Sequence, residues 1–315
     1  MDRKAAIFGI KKHKLTLEER LFLKREKPWG VILFSRNIKN LIQLEMLIKS
    51  IKDLFNDKNY PILIDQEGGR VSRMDKILDF SLFSQGFFGK IYKKDKYSFL
   101  KNYTIYVDTV SYILKKVGIN INTVPVLDVR EKDSLNFIND RSFSDDPRIV
   151  TEIGKICIDL YNKNGIGTVT KHMPGHGATR IDSHYSKPII KKLKKNLIKK
   201  DFAPFRKCHS FFTMTSHAIY QSYDKKNVCT HSKIIIRKLI RNKIKFKGII
   251  ISDDISMKAL KFSLIENATR ALDAGCNLVL HCNGNIKEMW SLSKVIPKID
   301  KFTQKKTQQF YKFLG

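Results

Sequence analysis

The chain has 315 residues, 42% of them hydrophobic, with 60 Lys+Arg against 30 Asp+Glu and a formal net charge of +30. That length and apolar fraction supply a substantial core, and no run approaches the ~20 apolar residues needed to span a bilayer. The positive residues are scattered in stretches such as Lys191-Lys192-Leu193-Lys194-Lys195, without interleaved aromatics; specific nucleic-acid binding is therefore not expected, although a general attraction to anionic surfaces is.

The apolar stretch near the N-terminus, Ala5 to Ile10, is too short for a signal peptide, and the protein reads as cytoplasmic. From there short apolar runs alternate with amphipathic stretches. Strands are predicted near 6–10, 30–35, 61–65, 119–127, 166–171, 210–216, 248–252 and 277–282. Helices are predicted near 17–26, 39–56, 102–116, 149–163, 193–206, 232–242, 264–273 and 286–295. Eight strands alternating with helices make an α/β fold, a single (β/α)8 TIM-type barrel domain over residues 1–315. A doubly wound sheet is the alternative. The long interval before the fourth strand, including Phe80 to Leu100, is expected to hold an extra helix or hairpin. The five cysteines show no C-x-x-C spacing and are read as reduced and mostly buried.

Polar residues gather where the predicted strands end: Asp65, Asp128, Lys171, His172, His217, Asp253 and Asn283. In a barrel that end carries the active site. The densest segment runs from Lys171 to His184 and holds three histidines. Asp182 and His184 are two apart, so one turn brings carboxylate and imidazole together, which sets the tautomer and raises the basicity of the ring. Gly175 and Gly177 are expected to relax a loop from about Met173 to His184, with His176 shaping it. Glu67 and Arg70 are expected to pair and brace the Gly68-Gly69 turn, which lacks a phosphate-loop pattern. Asp253 follows the strand Ile249-Ile250-Ile251-Ser252, and Asp254 is a candidate cap for the next helix.

Three segments carry a family resemblance: Asp65-Gln-Glu-Gly-Gly-Arg-Val71, Lys171-His-Met-Pro-Gly-His-Gly-Ala-Thr-Arg-Ile-Asp-Ser-His184 and Ser252-Asp-Asp-Ile-Ser-Met257. The chain resembles the bacterial family 3 glycoside hydrolases of the cytoplasmic β-N-acetylglucosaminidase (β-hexosaminidase) type. Trp29–Asn37, Thr123–Val129, Asp140–Phe143 and Met214–His217 extend the resemblance over nearly the whole chain. Met173 departs from the family's Phe, and Ala178 from an Asp. The resemblance implies a retaining exo-β-N-acetylglucosaminidase of cell-wall recycling, acting on N-acetylglucosamine saccharides or muropeptides through a covalent glycosyl-enzyme. It implies Asp253 as nucleophile and His184, oriented by Asp182, as acid and base. It places Asp65, Arg73, Arg141, Lys171 and His172 on the sugar. No cofactor, no metal and no membrane is expected, and a monomer is. Two rival readings stand beside it. One is a metal-dependent hydrolase using His172, His176, His184 and Asp253. The other is a non-enzymatic sugar- or nucleic-acid-binding module.

Overall fold

Among the described residues ten short strands form: β1 (Lys4–Gly9), β2 (Pro28–Leu33), β3 (Ile62–Ile64), β4 (Ile121–Asn122), β5 (Gly167–Met173), β6 (Ile189–Ile190), β7 (Phe212–Thr215), β8 (Ile219–Tyr220), β9 (Ile249–Asp254) and β10 (Leu278–His281). Eight of them close into an all-parallel barrel in the order β1-β2-β3-β4-β5-β7-β9-β10, with β10 pairing back to β1. β6 and β8 form a separate parallel pair. The computed structural model of the protein describes residues 2–131, 138–179 and 188–315.

The barrel strands lie at the predicted positions because their sequences suit no other place. β2 and β5 are buried at every residue, and β9 is buried from Ile249 through Ser252. A parallel strand covered on both faces by helices needs such a run rather than an alternating one. The predicted fourth strand is the exception. It pairs only at Ile121–Asn122, with an isolated bridge from Val126 to Lys171. Pro125, which has no N–H to give, lies between and offers its carbonyl to Lys171 N at 3.1 Å.

The surrounding helices are α1 (Leu17–Glu26), α2 (Leu41–Phe55), α3 (Gln85–Lys94), α4 (Lys96–Val117), α5 (Pro147–Lys163), α6 (Lys194–Lys199), α7 (Ala203–Lys207), α8 (Leu264–Ala274), α9 (Ile286–Val295) and α10 (Lys301–Leu314). Ile234–Lys243 winds with the wider π turn. Side chains at Thr16, Asn40, Ser263 and Asp300 accept first-turn N–H groups and set where their helices begin. The expected extra element before β4 is α3. The helix predicted at 193–206 is two pieces, because Pro204 opens α7 and cannot continue α6. α10 was not predicted. Phe310 on it packs on Phe212, whose ring also meets Trp29, and Thr307 accepts from the Trp29 indole at 2.8 Å. α10 therefore seals the end of the barrel where these strands begin, opposite the polar strand ends.

Candidate active site

Asp65, the residue after β3, is the centre of a buried ion-pair cluster. Its Oδ1 accepts from Lys171 Nζ at 3.0 Å and from the Thr123 hydroxyl, while Oδ2 lies 3.5 Å from the Arg73 guanidinium. Lys171, in β5, is among the most deeply buried large side chains of the protein. Its ammonium also reaches Thr123 Oγ1 at 2.9 Å and Glu67 Oε1 at 2.6 Å. Arg141 grips Glu67 through Nε and Nη2. Burial would raise the Asp65 carboxyl, but Lys171, Arg73 and two hydrogen bonds hold it well below the usual carboxylate range. Glu67 likewise is raised by burial but drawn down to about 2 by Arg141 and Lys171. Both acids are anions across the working pH range, and the cluster presents fixed acceptors and donors suited to a polyhydroxylated ligand.

A second anchor is Asp128, fully buried beyond β4. It accepts the backbone N–H groups of His172 and His176, and its Oδ2 lies 2.7 Å from His172 Nδ1. Burial pushes this acid up, yet the two histidines and these bonds hold it below its ordinary value. The pairing directs His172 Nδ1–H at the carboxylate and leaves Nε2 to face other partners. His176 is buried, which pushes its imidazole down to about 3, so the ring is neutral.

Asp253 occupies the end of β9 and is partly open to solvent. Burial raises its carboxyl, but His217, His172, the Asp254 N–H at 2.8 Å and Lys171 outweigh that and keep it ionised. His217 lies beyond β7. Its Nε2 donates to the Asp254 carbonyl at 2.9 Å, and its Nδ1 lies 2.7 Å from Thr230 Oγ1. The structure thus brings Asp65, Arg73, Arg141, Lys171, His172 and Asp253 to one end of the barrel. Asp182 and His184 lie outside the described residues.

Three local expectations are corrected. Glu67 pairs with Lys171 and Arg141, not with Arg70, whose Nε reaches Asp140 at 2.9 Å. Asp254 holds Ser256 N, Ser256 Oγ and Cys282 N in a turn, and Ser263 caps α8 instead. Gly175 and Gly177 provide close approach rather than slack. A Cβ on Gly175 would fall 2.4 Å from the Asp201 carbonyl oxygen, and one on Gly177 would fall 1.9 Å from that of Val129. Thr123 and the anchoring roles of Glu67 and Asp128 escape sequence reasoning, although Asp128 stands out in the sequence as a strand-end residue. Among the described residues, no group of three or more His, Cys, Asp or Glu is placed to hold a metal ion.

Known proteins resemble this chain in sequence and in fold. The model of the glycosyl hydrolase family 3 N-terminal domain matches residues 2–310. A beta-hexosaminidase of Actinobacillus pleuropneumoniae (serotype 3, strain JL03) is 32% identical over 283 residues, which cover 88% of this chain and 80% of that protein. One from Nitrosomonas eutropha is 35% identical over 286 residues, 85% of this chain and 78% of that protein. The crystal structure of NagZ from Neisseria gonorrhoeae in complex with N-trifluoroacetyl-D-glucosamine is similar at a TM-score of 0.87 and 28% identity, covering 98% of this chain and 90% of that one.

Proposed function

Because the chain belongs to glycosyl hydrolase family 3, we propose that it is a retaining, exo-acting β-N-acetylhexosaminidase that removes terminal N-acetylglucosamine from peptidoglycan fragments in the cytoplasm. The relatives named beta-hexosaminidase and the sugar-bound neighbour support the hexosaminidase part of this reading. The observation that carries the chemistry is the ionised, partly open Asp253 at the carboxyl end of the barrel, beside the cluster of Asp65, Lys171, Glu67 and Arg141.

In this mechanism Asp65, Arg73, Lys171 and His172 hold the hydroxyls of the terminal sugar, with Arg141 completing the charged wall. Asp253 attacks the anomeric carbon as the glycosidic bond breaks, and a covalent glycosyl-enzyme forms. His184, oriented by Asp182, protonates the departing oxygen and then takes a proton from the water that releases the sugar. Residues of the chain perform every step, and no cofactor enters.

The test is turnover of a nitrophenyl N-acetyl-β-glucosaminide and of a natural muropeptide by the purified chain, with release of the β-anomer followed by NMR. Initial release of the α-anomer would exclude retention. Absence of turnover on both substrates would exclude the activity.

A further inference from the structure

Beneath the Pro174-Gly175-His176 turn sits a carboxylate that no step above uses. Asp201 lies between α6 and α7 and is wholly buried. Its backbone carbonyl and Cβ press on Gly175, so that a Cβ there would fall 2.4 Å from the carbonyl oxygen and 3.1 Å from the Asp201 Cβ. Oδ2 accepts from Lys192 Nζ at 3.1 Å. The same ammonium reaches Glu131, which Lys200 also holds, at 2.9 Å. Among the described residues nothing hydrogen-bonds Oδ1.

One ion pair does not satisfy a buried carboxylate, and the unmet oxygen is destabilising. Burial pushes the Asp201 carboxyl up to about 6; Glu131 adds to this, while Lys192 and Lys200 oppose it. An acid whose folded-state pKa is raised lends full stability below its ordinary value and loses it as pH rises through about 6. The ionised form is therefore the costly one, and it is also the form that holds Lys192. Groups that cost stability away from the reacting atoms point to a functional constraint. Here the constraint is the turn overhead, which is also held by the Tyr220 hydroxyl donating to Gly175 O at 2.7 Å and by His176 N on Asp128.

We propose that Asp201, held by Lys192, is a positioning residue for the reaction, clamping the Pro174-Gly175-His176 turn from below and so fixing the bonds by which Asp128 holds His172 and His176. Its consequence for turnover rests on the hexosaminidase reading above; the clamp itself does not.

The experiment compares Asp201→Asn with wild type in the full chain at pH 7.5. Asn fills the same space without the charge. Turnover on a nitrophenyl hexosaminide should fall by roughly 10- to 100-fold, carried by kcat with KM nearly unchanged, as expected for a misplaced catalytic loop. Amide exchange at Gly175 and His176 should accelerate, with no change at Asp65 or Ile251. The melting temperature should hold or rise by about 2–4 °C. Below pH 6 the exchange rates of wild type and variant should converge. Lys192→Met should reproduce the loss, and Lys192→Arg should restore it. If Asp201→Asn does not fold, the two Lys192 variants decide the matter, and equal kcat and equal exchange between them overturn the proposal. With folded Asp201→Asn, kcat within twofold of wild type or unchanged exchange at the turn overturns it. A wild type inactive on every hexosaminide overturns the functional reading and the effect on turnover, while exchange still decides whether Asp201 clamps the turn.

Discussion

Arg141 and Glu67 form a two-pronged ion pair, Nε to Oε2 and Nη2 to Oε1, both at 2.8 Å. The resemblance assigns Arg141 to the sugar, yet two of its nitrogens face an acid that also neutralises Lys171. Glu67 therefore organises the binding wall.

Glu67→Gln leaves two buried cations without their shared anion. Breaking such a pair from one side commonly costs about 3–5 kcal/mol, and denaturant melts should show a loss of that order. The pH dependence has a definite sign. Glu67 is drawn down from 4.5 to about 2, so its stabilisation is complete above pH 4.5 and is lost as pH falls toward 2. The variant should show a flatter melting profile over that window. Parallel profiles for the two proteins would contradict the assignment.

Asp128 should tolerate no substitution. Asn at this position turns an amide NH2 toward donors from His172 and His176. Losing a charged acceptor for several buried donors costs about 3 kcal/mol, and turnover should fall roughly 100-fold through misplacement of the His172 strand end. The Nδ1 proton of His172 should give a low-field NMR signal that Asp128→Asn abolishes. Its persistence would mean that another group holds the ring.

Much of this was legible in the chain. The barrel strands follow from short apolar runs, although the fourth pairs only at Ile121–Asn122, and a carboxylate after Ile249-Ile250-Ile251-Ser252 is conspicuous. α10 was hidden because its buried residues are Thr303, Thr307 and Phe310, helically spaced but with two polar members. The Glu67 pairing was hidden for a different reason. Its partners lie 74 and 104 positions away, and local reading prefers the neighbouring Arg70. The glycines of the central loop misled in the same manner. Their spacing suggests slack, whereas only tertiary contact reveals the backbones of Asp201 and Val129 against them.

Gly177→Ala tests that last point. Its new methyl meets the Val129 carbonyl oxygen at 1.9 Å, and backbone cannot yield cheaply. Overpacking of this kind costs about 1–3 kcal/mol. A loop needing stiffness would instead be stabilised by Ala. Thermal melts distinguish the two by sign, and amide exchange should find Gly175 and His176 protected with or without N-acetylglucosamine.

Asp253→Ala should remove nearly all turnover while sugar binding, measured by calorimetry, persists through the Asp65 and Lys171 cluster. A 2-acetamido sugar carrying fluorine at C5 should label Asp253 in the wild type, because the glycosyl-enzyme accumulates when its breakdown is slowed. Peptide mapping that finds the label on Asp65 or Asp254 would move the nucleophile elsewhere.

The His184 and Asp182 pair is tested by leaving-group chemistry. Protonation matters most when the departing oxygen is a poor leaving group. His184→Ala should therefore cripple hydrolysis of a natural disaccharide, whose alcohol cannot leave unprotonated. A nitrophenyl glycoside releases a stable phenolate, so its glycosylation step should suffer far less, and release of the enzyme-bound sugar should become rate-limiting. Azide attacks without a general base and should restore turnover at that step, giving a glycosyl azide. Asp182→Ala should show a weaker form of the same pattern, since the imidazole remains but loses its orientation and part of its basicity. General acid–base assistance is commonly worth about 10²–10⁴-fold, so the gap between the two substrates should be of that size. Equal losses on both substrates with no response to azide would reassign His184 to sugar binding or to shaping the loop.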